Sequence, residues 1–125
     1  MALQESGEMY LETIYVLSQS SSTVRAIDIG EKLGYTKPSV SRALGVLRNE
    51  GLIKKDSDGY IKLTEAGEIM AKRTYERHTV LTKILMELGI DEETATEDAC
   101  RIEHYMSDTT FDAIKAHMKK YGSSD

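Results

Sequence analysis

The chain has 125 residues, 40% of them hydrophobic and 30% charged, with a net charge of −5 and one cysteine. That length suits one ordinary domain or two small units. No apolar run approaches the roughly 20 residues of a bilayer span, no secretory signal opens the chain, and a single cysteine excludes an internal disulfide. A cytoplasmic protein with no membrane partner is expected.

Residues 5–18 alternate apolar and polar side chains at helical spacing, with Leu11, Ile14 and Tyr15 on one face and Met9, Glu12, Thr13 and Val16 on another. The serine-rich stretch 19–23 reads as a loop. A short helix over 24–33 follows, closed by Gly34, which suits a left-handed cap. Thr36 is placed to cap a second helix with Pro38 in its first turn and Val40, Ala43, Leu44 and Leu47 along its buried stripe. Strand-like runs at 52–55 and 60–63 flank the turn formers Asp56, Ser57, Asp58 and Gly59, so a β-hairpin is expected. Thr64 then caps a long helix reaching about Leu88, with Leu81, Ile84, Leu85 and Leu88 on one stripe and Gly89 as its stop. Two more helices are expected, over 91–106 and 108–120, the last capped by Asp108.

Helix, glycine-containing turn, helix and hairpin is the order of a winged helix-turn-helix. The fold class expected is therefore mainly α: a winged helix-turn-helix over 1–73, then a helical domain over 74–125 suited to an oligomerising or sensing role. Charge supports this division. Residues 1–73 carry ten basic and ten acidic side chains, whereas 74–125 carry six and eleven, so the acidic balance lies wholly in the rear. Between 37 and 62 six cations face three anions, and local charge decides attraction to phosphates because solution screens beyond roughly 8–10 Å. Double-stranded operator DNA is the expected partner. Arg42, on the second helix, has the fork to read a guanine edge. Lys37 and Pro38 lie beside it, while Thr36, Ser39 and Ser41 offer hydroxyls to phosphates. Lys54 and Lys55 on the wing could reach the backbone or the minor groove. Arg25 and Lys32 read first as solvated charges, with Arg25 retained as a contact candidate. A winged helix used only for protein contacts is the plainer alternative.

The rear half holds a second pattern. Cys100, Glu103 and His104 fall at i, i+3 and i+4 within 97–108, a stretch free of Gly and Pro. On a helix these share one face, bringing a thiolate, a carboxylate and an imidazole into one small volume able to hold a transition metal. Further donors should come from elsewhere: Met9 and Glu12 at i, i+3 on the first helix, and His78 on the long one. This mixed soft and hard set suits Fe(II), and also Co(II), Ni(II) or Zn(II), better than Mn(II). Taken singly, each residue has a structural reading. The cysteine is a small buried hydrophobe, Met9 is core filler, either glutamate pairs with a nearby cation, and His78 is a half-exposed helix residue.

Two segments, 8–15 and 98–108, resemble the diphtheria-toxin-repressor family of metal-dependent regulators, which includes the manganese-transport regulators. The likeness continues through 36–41 and 63–67, so it covers nearly the whole chain. It implies a homodimer that binds operator DNA when loaded with metal and represses metal-uptake genes, and it marks 74–125 as the metal-binding and dimerisation domain. Matched position by position, Met9, Cys100, Glu103 and His104 correspond to the iron-type primary site. Manganese-type members place carboxylates where Met9 and Cys100 stand, so Fe(II) is expected first and Mn(II) second. Glu12 instead follows the manganese pattern, and Thr82 and Thr96 occupy positions of iron-type ancillary ligands. A hybrid second site of Glu12, His78 and Glu103 is implied. With the chain ending at Asp125, the SH3-like domain of longer members is not expected.

An ion held between the first helix and the helix of 100–104 would set the spacing of two recognition helices, and so govern operator binding. A winged-helix repressor sensing a small molecule is the rival. An enzyme using Cys100 with His104 or His78 as base is not expected, because no Gly-rich loop or oxyanion motif accompanies them.

Overall fold

A computed structural model describes residues 5–122 of the chain. Residues 1–4, on which part of the leaderless-start reading falls, and residues 123–125 lie outside the described residues. The chain separates into two compact units, one up to Lys72 and one from Arg73 onward.

The first unit contains α1 (Glu5–Ser20), α2 (Ala26–Leu33), α3 (Lys37–Asn49), β1 (Ile53–Lys55), β2 (Ile61–Leu63) and the first turns of α4 (Glu65–Glu87). Leu11 and Ile14 of α1, Ile29 of α2, Val40 and Leu47 of α3 and Ile61 of β2 belong to one buried apolar cluster. These are the positions at which helical and strand periodicity place apolar side chains. The local punctuation also follows the sequence. Gly34 closes α2 in the left-handed region at φ 73°, its N–H bonded to the Gly30 carbonyl. Thr36 caps α3 through its hydroxyl, which accepts from the Ser39 N–H at 3.4 Å. The two strands pair antiparallel with Lys54 opposite Lys62, and the Asp56 carboxylate ties their turn by accepting from the N–H groups of Asp58 and Tyr60. The unit is a winged helix-turn-helix.

Three details differ from the sequence reading. The α2 helix begins at Ala26 rather than 24, because Val24 is buried and its carbonyl accepts from the Ile61 N–H of the wing at 2.8 Å. Each strand starts one residue later than expected; the Leu52 carbonyl accepts instead from the Thr64 N–H at 3.0 Å. The α1 helix continues to Ser20. At the start of α4, Thr64 receives the Gly67 N–H at 3.1 Å, and a Cβ on Gly67 would lie 1.9 Å from the Leu52 carbonyl oxygen. Only glycine permits that approach.

The second unit contains the rest of α4, α5 (Glu92–Ile102) and α6 (Asp108–Tyr121). Its buried residues are Leu81, Ala95, Ala99 and Phe111, joined by Thr74 and Glu103. Leu88 is corrected from the expected stripe: it lies one residue past α4 and is 73% exposed. Ser107, not Asp108, caps α6, its hydroxyl accepting from the Thr110 N–H at 3.1 Å. Asp108 is engaged by arginines instead. The α5 helix stops at Ile102, four residues short of expectation, so Glu103 is its C-cap and His104 stands in the following turn. Among the described residues no helix is long and apolar enough to cross a membrane.

Candidate functional site

In the first unit, α3 presents Lys37, Pro38, Ser41 and Arg42 as exposed residues, with Ser39 half-buried. Ser39 is held by the Thr36 hydroxyl, which donates to its Oγ at 2.9 Å. Lys54 and Lys55 are exposed on β1. Arg48, exposed in the last turn of α3, adds a cation that the residue pattern did not single out. Arg25 behaves differently. It is the N-cap of α2; its N–H donates to the Asp28 carboxylate at 3.0 Å, and its guanidinium lies 3.4 Å from the other oxygen. The backbone hydrogen bond, aided by the guanidinium, holds the Asp28 carboxyl below its ordinary range. Part of the Arg25 charge is thus spent locally.

In the second unit, Cys100, Glu103 and His104 each offer a ligand atom, and these atoms lie within 4.8 Å of one another. Donors bound at about 2.0–2.3 Å from one ion sit roughly 3–4.5 Å apart, so small rotamer adjustments would bring the three together. The side chains of Glu103 and His104 have no exposed surface, and Cys100 is half-buried. Glu103 Oε2 lies 2.9 Å from His78 Nδ1 on α4. Its other oxygen, Oε1, is 3.4 Å from His104 Nε2 and has no hydrogen bond among the described residues. A fully buried carboxylate oxygen left in that state is costly. A cation among these donors would offset that cost, so the residues present fit a divalent metal.

Within the second unit the structure brings together the sequence candidates His78, Cys100, Glu103 and His104. Met9 and Glu12 stand on α1 in the first unit, where the Tyr35 hydroxyl donates to Met9 Sδ at 3.4 Å. At the positions of the ancillary ligands, Thr82 keeps a buried hydroxyl with no hydrogen bond among the described residues, while Thr96 is exposed on α5.

Sequence reasoning passed over Arg77. Its side chain is only 11% exposed. Nη1 donates to the carbonyls of Glu103 at 3.2 Å and Met106 at 2.5 Å, and Nη2 pairs with Asp108. Arg73 reaches the same Asp108 oxygen at 2.6 Å. Hydrogen bonding and charge from Arg73, with Arg77 adding to it, hold the Asp108 carboxyl below its ordinary range. Its one sequence signal was position, immediately before His78.

Comparison with known proteins supplies an independent view. Residues 2–66 match the family model described as iron dependent repressor, N-terminal DNA binding domain. Residues 64–123 match iron dependent repressor, metal binding and dimerisation domain. The transcriptional regulator MntR of Escherichia coli O157:H7 is 33% identical over 114 residues, covering 91% of this chain and 74% of that protein. The diphtheria toxin repressor of Corynebacterium diphtheriae is 33% identical over 107 residues, covering 85% of this chain and 47% of that protein. Among solved structures, the manganese regulator SloR superposes with a TM-score of 0.82 at 29% identity, over 95% of this chain and 55% of that one.

Proposed function

The chain belongs to the iron-dependent repressor family of metal-dependent, DNA-binding transcriptional repressors, and from that premise we propose that it is a homodimeric repressor loaded with Fe(II) that controls metal-uptake genes. The supporting observation is the donor cluster of Cys100, Glu103 and His104, in which a buried carboxylate oxygen has no hydrogen bond among the described residues. A thiolate among the donors favours Fe(II) over Mn(II), which prefers oxygen-rich ligation. Mn(II) is the second choice, and Co(II), Ni(II) and Zn(II) are substitutes in vitro.

Cys100, Glu103 and His104 are the proposed core of the metal site, with His78 orienting Glu103. Met9 and Glu12 complete the proposed ligand set, from their i, i+3 spacing on the first helix and from the family resemblance. When bound, the ion would supply positive charge to a buried carboxylate and a link between donors. Cys100 must lose its proton to serve as a ligand, so affinity falls as pH falls. Ligands drawn from both units would make metal loading favour one arrangement of the protein over others, and only such a differential preference can switch DNA binding.

On the DNA side, α3 is proposed to enter the major groove, with Arg42 at a base edge and Lys37, Pro38, Thr36, Ser39 and Ser41 at its entry. Lys54 and Lys55 would hold backbone phosphates. For dimerisation, the second unit presents Met86, Leu88, Ile102 and Tyr105 as exposed apolar side chains, material for a self-complementary surface.

The test is retention of a random-sequence duplex pool on the purified protein, under anaerobic conditions, with Fe(II) and after EDTA. Enrichment of one sequence class only with Fe(II) is expected. Equal retention after chelation would overturn the proposal.

A further inference from the structure

We propose that Arg77 is the positioning residue of the metal-binding turn, holding the backbone of 103–106 in the conformation that presents Glu103 and His104. This rests on the reading of the Cys100, Glu103 and His104 cluster as a metal centre.

The inference starts from how α5 ends. A helix terminus leaves carbonyls without partners, and many helices resolve this with a glycine in the left-handed region. This chain uses that device at Gly34 and Gly89, at φ 73° and 99°. After α5 there is no glycine, and Glu103 keeps a right-handed conformation at φ −58° and ψ −27°. Its carbonyl and that of Met106 are instead satisfied by the Arg77 guanidinium.

That guanidinium is itself fixed on every side. It pairs with Asp108, lies 5.3 Å from the centroid of the Phe111 ring and is nearly buried. The next residue along α4, His78, takes hold of the Glu103 carboxylate at 2.9 Å. Two consecutive α4 residues thus grip the same glutamate, one by its backbone and one by its side chain. The remaining oxygen, Oε1, is left toward His104. Bridging two carbonyls and a carboxylate at once needs the planar fork of arginine; a lysine ammonium is a single point charge without that geometry.

An arginine that merely stabilised the fold would act on melting temperature alone. The experiment compares the full chain with Arg77→Met, Arg77→Lys and Arg73→Met, using Co(II) as the probe. The wild type should show thiolate-to-cobalt absorption. Both Arg77 variants should bind Co(II) roughly 10–100-fold more weakly with an altered cobalt spectrum, lysine being the milder. Arg73→Met, which removes the other Asp108 partner and no carbonyl contact of the turn, should keep wild-type affinity. In metal-free protein, amide exchange at Tyr105 and Met106, whose N–H groups bond to the Ile102 carbonyl, should accelerate in the Arg77 variants. Because that readout needs no metal, it decides the matter even if Arg77→Met binds nothing, and Arg77→Lys decides it if Arg77→Met fails to fold. Wild-type cobalt binding with unchanged affinity and exchange in the Arg77 variants would overturn this proposal alone. A wild type without the cobalt–thiolate band would overturn the metal-centre reading beneath it.

Discussion

The two units of this chain solve the problem of burial in opposite ways. In the first, the core is apolar, from Leu11 and Ile14 to Leu47 and Ile61, and every proposed DNA-contacting cation except the locally paired Arg25 stands exposed without a close acidic partner of its own element. In the second, the buried set is smaller and includes a glutamate with no exposed side-chain surface. Burying apolar area is its own driving force, whereas burying a carboxylate is a cost that needs a compensating partner. The first unit is thus built for stability with function on its rim, and the second carries its chemistry inside.

Substitutions can test that contrast. The largest effect should come from Ile14→Ala, which empties a fully buried position of the first unit. It should cost about 2–5 kcal/mol in urea unfolding, and a loss well under 1 kcal/mol would show that this core is not the stabilising element. Glu103→Gln should behave in the opposite sense. It removes buried charge while retaining shape, so the metal-free protein should melt no lower than wild type. What should vanish is stabilisation by added Co(II), roughly 2.7 kcal/mol at a hundredfold excess over Kd. If the variant melts well below wild type without metal, the glutamate is a structural residue and the contrast fails.

Smaller effects refine it. Gly34→Ala puts a side chain at φ 73° with no atom within 4 Å of the new Cβ, so only backbone strain opposes it. A loss of about 1 kcal/mol is expected, with cobalt affinity untouched. Asp108→Asn should be smallest. The folded carboxyl titrates below its ordinary value of 3.8 because of Arg73 first and Arg77 second. Its stabilising contribution is therefore complete above that value and lost as pH falls through the lower, folded one. Wild type and variant should differ slightly at neutral pH and converge in strong acid; a gap that persists at the acid end would mean the arginines are not its cause.

Much of the first unit was legible in the residues, because its determinants are local. Gly34, Thr36, Pro38 and Asp56 act within a few residues of themselves, and periodicity marks Leu11, Ile14, Val40 and Leu47 as interior. The spacing of Cys100, Glu103 and His104 was equally readable, and a regular helix was the natural expectation. Helical spacing alone, however, could not reveal that α5 ends at Ile102. Past that end Arg77 donates to two carbonyls, 26 and 29 residues further along the chain, and no local pattern encodes a bond over that separation. The family resemblance had placed His78 with Glu103 in one site, but no local pattern encodes their 2.9 Å contact across 25 residues. Composition, caps and spacing determined by themselves which elements form and which side chains could bind a metal. Tertiary packing decided where the last helix turn stops and which glutamate oxygen remains without a hydrogen bond, because a buried polar group is settled only by the partners that distant segments bring to it.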